Sequence, residues 1–156
     1  MAAGGCRTIY EINIRLRVVL LSDANMKEFQ VERVYDEIDF LKSFKGLSNS
    51  GPTSPTLVPI NERIDELNRF ASKHGLKEPS KYTVKERARL AGVVTEYENL
   101  YGFYSKYVHG SAWLVNASDA ERDGDGYRNI FIIQAQKYAL DALGRVSDYV
   151  KTKTSD

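Results

Sequence analysis

The chain has 156 residues, 42% of them hydrophobic, with 22 Lys and Arg against 21 Asp and Glu. That length supports one domain whose core needs neither disulfides nor a structural metal, and the net charge of +1 excludes a global field that would draw in a polyanion. Residues 1 to 6 lack the basic and apolar regions of a signal peptide, Ala2 excludes N-myristoylation, and the single cysteine, Cys6, has no partner for an internal bridge, which together imply a reducing, cytoplasmic setting.

Residues 7 to 21 carry two periodicities. Ile12, Ile14, Leu16, Val18 and Leu20 alternate with Glu11, Asn13, Arg15 and Arg17 in the manner of a strand, while Ile9, Ile12, Leu16, Val19 and Leu20 fit helical spacing. No other segment offers a strand partner, and a lone strand would leave its backbone groups unpaired, so the segment is predicted to be a helix buried on most sides. The polar residues that interrupt it rule out a membrane span. Arg7 and Glu11 lie four residues apart on it, the spacing of an intrahelical ion pair that leaves guanidinium donors for a second group.

A second helix is predicted from Ser22 or Asp23 to about Lys45, with Val31, Val34, Ile38, Leu41 and Phe44 inward and Gly46 as its stop. Residues 47 to 59 hold three prolines and form the longest loop. A third helix follows, with Ile60, Ile64, Leu67, Phe70 and Ala71 inward, His74 in its last turn and Gly75 ending it. Lys77, Lys81, Lys85, Arg87 and Arg89 make the strongest basic cluster, but Glu78 and Glu86 interleave it, so it reads as a solvated helix start.

Thr83-Val-Lys-Glu86 is a capping box that opens a fourth helix. Leu90, Val94, Tyr97, Tyr101, Tyr104 and Val108 recur along it at spacings of four and three. Gly92 and Gly102 fall inside this stretch, each at about 1 kcal/mol relative to alanine, so close approach of a neighbouring helix is expected there. Gly110 and residues 116 to 126 end the element. A fifth helix from about Tyr127 is predicted to bury Phe131, Ala135, Tyr138, Ala142 and Val146.

Ser105 and His109 sit four apart near the end of the fourth helix, which stacks a hydroxyl and an imidazole on one face. With Arg7 and Glu11 they form the candidate catalytic set: His109 as acid or base, Arg7 on a phosphate, Ser105 and Glu11 positioning them. The alternative is a buried structural polar cluster, which the absence of any complete catalytic motif favours. Glu121, Asp123, Asp125 and Gly126 imitate the start of a calcium loop, but Ile132 stands where the bidentate glutamate belongs, so a solvated acidic loop is expected and no metal or cofactor is implied. Tyr97, Tyr101, Tyr104 and Trp113 read as core before they read as a ligand pocket.

Arg7-Thr-Ile-Tyr-Glu11 opening an apolar helix, and Tyr104-Ser-Lys-Tyr-Val-His109 late in another, resemble the bacterial family called domain of unknown function 5677 over most of residues 5 to 115. The resemblance implies an all-α domain, here a five-helix bundle with antiparallel neighbours and no sheet, and it carries no established activity. Members of that family have helical sequence ahead of the first motif, which implies N-terminal helices beyond this chain. A second similarity is to HEPN-like helical ribonucleases, whose site sets an arginine several residues before a histidine on one helix. His109 matches, but residues 99 to 105 contain no arginine, so Arg7 would have to supply the cation from another helix. The expected function is therefore association, as a homodimer or with a helical protein partner, through Ile9, Ile14, Val18 and Leu21, with HEPN-like RNA binding or cleavage as the alternative.

Overall fold

The computed structural model describes residues 2–47, 55, 57–109, 111–119, 121 and 124–154. They form helices joined by turns and short irregular stretches, with no strand among them. In chain order the helices are α1 (Ala2–Val19), α2 (Asp23–Leu47), α3 (Val58–Lys73), α4 (Val84–Leu90), α5 (Val94–Val108), α6 (Ala112–Asn116) and α7 (Asp125–Thr154). Most of the expected 47-to-59 loop, together with Gly110 and Asp123, lies outside the described residues. The chain divides into two compact units, residues 1–22 with 82–156, and residues 23–81.

In the first unit α1 runs along α7 and also packs on α4 and α5. The helix wins over the strand because Ala3, Cys6, Tyr10 and Ile14, at spacings of three and four, enter one core with Tyr97, Tyr104, Phe131 and Tyr138. Tyr10 sits at the centre of it, its ring 4.6 Å from that of Tyr138 and 6.0 Å, edge-on, from that of Tyr104. The buried face differs from the one read from periodicity: Ile12 is 57% exposed while Ile14 is fully buried. Ile14 is thus sealed by its own chain, and the row Ile9, Ile14, Val18 and Leu21 is not a continuous exposed patch.

The predicted fourth helix is two. Its capping box forms as read, with the Thr83 hydroxyl accepting from the Glu86 amide and the Glu86 carboxylate accepting from the Thr83 amide. The chain then turns at Ala91 to Val93, where Gly92 adopts φ +71°, the Gly92 amide donates to Arg89 and the Val93 amide to Ala88. That is a left-handed helix stop. A side chain added at Gly92 or at Gly102 would meet nothing within 4 Å, so close helix approach explains neither glycine; backbone handedness explains Gly92. α6, opened by the Ser111 hydroxyl accepting from the Leu114 amide, was not foreseen, and it raises the described helices above the five expected.

The second unit is the hairpin of α2 and α3. Ile38, Leu57, Leu67 and Ala71 are its buried apolar residues. Gly75, at φ +61°, closes α3 with the Leu76 amide donating to Ala71, and Tyr35 ties α2 to that turn by donating to the Leu76 carbonyl at 2.9 Å. α2 continues through Gly46, contrary to the expected stop, and Phe44 is 54% exposed rather than inward. No helix among the described residues is long and apolar enough to cross a membrane.

Candidate functional site

Arg7 lies in the second turn of α1, on the edge of the helix that meets α5, beside its core-facing neighbour Cys6. From there the guanidinium gives each of its nitrogens a different partner. Nε donates to Glu11 Oε1 at 2.8 Å, Nη2 donates to the Tyr101 hydroxyl at 2.7 Å, and Nη1 meets His109 Nε2 at 3.1 Å. Its carbon also stands 4.6 Å from the Tyr101 ring centroid, within reach of the ring's negative face. The Arg7 and Glu11 side chains are 18% and 31% exposed; His109 is exposed.

An arginine has only donors. In this contact His109 Nε2 is therefore the acceptor, which places a ring hydrogen on Nδ1. The Glu11 hydrogen bond is the main reason the Arg7 guanidinium is held even more firmly charged than usual. Tyr97, whose ring lies 4.8 Å from that of Tyr101, has its hydroxyl pushed up mainly by burial.

Of the four expected site residues, the fold brings together Arg7, Glu11 and His109. Ser105 joins only through its carbonyl, which accepts from the His109 amide at 3.1 Å. The reason is that α5 ends at Val108: His109 is the C-cap, with extended backbone at φ −101° and ψ 142°, so the one-turn stacking of its ring over Ser105 is lost. Tyr101, read from the sequence as core, is the missed member of the cluster. Its position two turns before the histidine was the available signal.

A second polar network in the same unit is built from Asn13 and Arg17, residues that in the sequence interrupt an apolar run. Asn13, 1% exposed, donates to the Tyr138 carbonyl at 3.0 Å and to Asp141 Oδ2 at 2.9 Å. Arg17 donates to Asn13 Oδ1 at 2.9 Å and to Asp141 at 3.0 Å, and Arg145 donates to Asp141 at 2.8 Å. The Arg145 bond, with Asn13 and Arg17 behind it, holds the Asp141 carboxyl down to about 2 against the opposing effect of burial. This network fastens α1 to α7.

The remaining candidates carry less. Cys6 is buried and its thiol is pushed up by burial, which makes it a poor nucleophile. His74 is the C-cap of α3 with its ring against Phe70. Lys81 pairs with Asp39 and Glu78, and Lys85 pairs with Glu98, so at least two of the five cations of the basic cluster are held in ion pairs. In the acidic loop Glu121 caps the Ser118 amide and Asp125 pairs with Arg128; Asp123, and the Trp113 side chain expected beside the tyrosines, lie outside the described residues. Among those described, no group of His, Cys, Asp and Glu is arranged to hold a metal ion.

A family model described as a family of unknown function (DUF5677) matches residues 2–127. The match takes in Arg7, Glu11, Tyr101 and His109 and most of the chain, and the chain belongs to that family. No curated protein matches it, and no solved structure does.

Proposed function

We propose that this member of the family acts in the cytoplasm as a non-catalytic association module, a homodimer or the partner of another helical protein, with Arg7, Glu11, Tyr101 and His109 forming a structural tie between α1 and the end of α5. The observation that carries this reading is that every guanidinium nitrogen of Arg7 already has a partner within the chain. Those three bonds fix the guanidinium between a carboxylate, a phenol and an imidazole of the same chain, although each Nη keeps a second hydrogen. Chemical unfolding of Arg7→Ala tests it. Loss of the partly buried hub leaves Glu11 and the Tyr101 hydroxyl unmatched and lowers stability by ~1 to 3 kcal/mol, and His109→Ala lowers it by less because its bond is exposed. Unfolding of both variants at the wild-type midpoint would show that the cluster holds nothing together.

One observation favours the HEPN-like alternative: guanidinium and imidazole stand 3.1 Å apart at an exposed edge, and each Nη retains a second hydrogen that a phosphate oxygen would accept. On this reading Arg7 replaces, from α1, the arginine absent from α5, and His109 is the acid or base. Incubation of single-stranded RNA with purified protein and with His109→Ala decides the matter. Cleavage lost only in the variant establishes the alternative; intact RNA with both removes it.

A further inference from the structure

α2 is apolar on two sides. Ile38 faces into its own unit, while the opposite side carries Phe29, Asp36 and Phe40, with Arg33 at its edge where it also borders the groove toward α3 beside Glu37 and Arg63; spacings of four, three and four place the four in one row. Phe29 and Phe40 are 40% and 67% exposed, and Arg33 and Asp36 are exposed between them. A hairpin with Ile38, Leu57, Leu67 and Ala71 as its buried apolar residues has little core of its own, and a helix pair of this size gains most by pairing with another.

The order of residues in the row identifies the occupant. Taken about its midpoint between Arg33 and Asp36, the row is its own complement when a second α2 is laid antiparallel across it. Arg33 then faces the Asp36 of a second copy, Asp36 faces its Arg33, and on either side a Phe29 meets a Phe40. An interface that repeats each contact in this way is what a two-fold axis requires. That midpoint is also the middle of α2, Asp23–Leu47, so the two helices overlap along their whole length, about 37 Å. The exposed apolar row of α7, through Ile133, Leu140 and Leu143, contains no such pair of opposite charges.

We infer that a second copy of this chain docks on α2, antiparallel, with paired Arg33–Asp36 contacts at the axis and Phe29–Phe40 contacts beside it. The inference rests on the association reading above and names its surface. Sedimentation of the full chain at concentrations on the order of tens of micromolar is expected to give a dimer. Arg33→Asp and Asp36→Arg each turn two attractions into two repulsions and weaken self-association ~100-fold or more. The double variant regains the wild-type dimer, and the two single variants mixed form a one-to-one heterodimer, an outcome that a merely damaged fold does not give. A monomeric wild type, single variants as dimeric as wild type, or a mixture that stays monomeric would each overturn it. A monomeric wild type whose Arg7→Ala variant still unfolds early would remove the dimer and leave the structural tie standing.

Discussion

Asp141 shows how much a single carboxylate does in this molecule, because one oxygen accepts from Asn13, Arg17 and Arg145 together. Its folded pKa, about 2, lies below the ordinary 3.8, so the unfolded chain takes up the proton first as pH falls. The stabilisation is therefore complete above about pH 4 and disappears between about 4 and 2. Asp141→Asn is expected to lose roughly 1 to 2 kcal/mol near neutral pH, after allowance for its partial exposure, and to approach wild type toward pH 2. Urea unfolding of both proteins across that range checks it; a deficit that stays constant with pH would mean that charge is not what Asp141 contributes. Asn13 and Arg17 were visible in the sequence as a polar pair one turn apart in an apolar run. Their partner was not, since Asp141 lies more than 120 residues away and only the packing of α7 on α1 joins them.

The helices themselves were largely legible, and where they were not, the reason is backbone geometry. The Thr83 to Glu86 box and the Gly75 stop are local signals whose physics is complete within a few residues, and both formed as read. In sequence a glycine inside a helix and a glycine that stops one look alike until φ is known, and Gly92, at φ +71°, is the stop. Gly92→Ala, forced into the left-handed region, is expected to cost about 1 kcal/mol or more. Gly102→Ala, inside α5 with open space at its Cβ, is expected to stabilise by about 0.5 to 1 kcal/mol. Opposite shifts in melting temperature for the two variants support the assignment; a destabilised Gly102→Ala would mean that α5 needs its glycine for contact after all. The buried face of α1 is hidden from periodicity for a related reason: both periods place Ile12 inward, and it is the tertiary core that leaves Ile12 exposed and buries Ile14, which the helical period omits.

At the scale of the molecule, α1 is the element on which the first unit depends. It carries the Arg7 cluster toward α5 at one end and the Asn13 and Arg17 network toward α7 at the other. The sequence pointed to Arg7, Glu11 and His109 by spacing and by resemblance, but the termination of α5 before His109, which turns a supposed helix-face pair into a bond across helices, is a property of the folded chain. On the reading proposed above, the incomplete catalytic motif and the well-formed cluster go together because the residues serve to hold α1 against α5. The most direct measurement is a double-mutant cycle between Arg7→Ala and His109→Ala, read by chemical unfolding with an RNA-cleavage assay on the same four proteins. A favourable coupling of about 0.5 kcal/mol or more, with no cleavage by any of them, is the result predicted here. Zero coupling, together with cleavage by the wild type that both substitutions abolish, would contradict it.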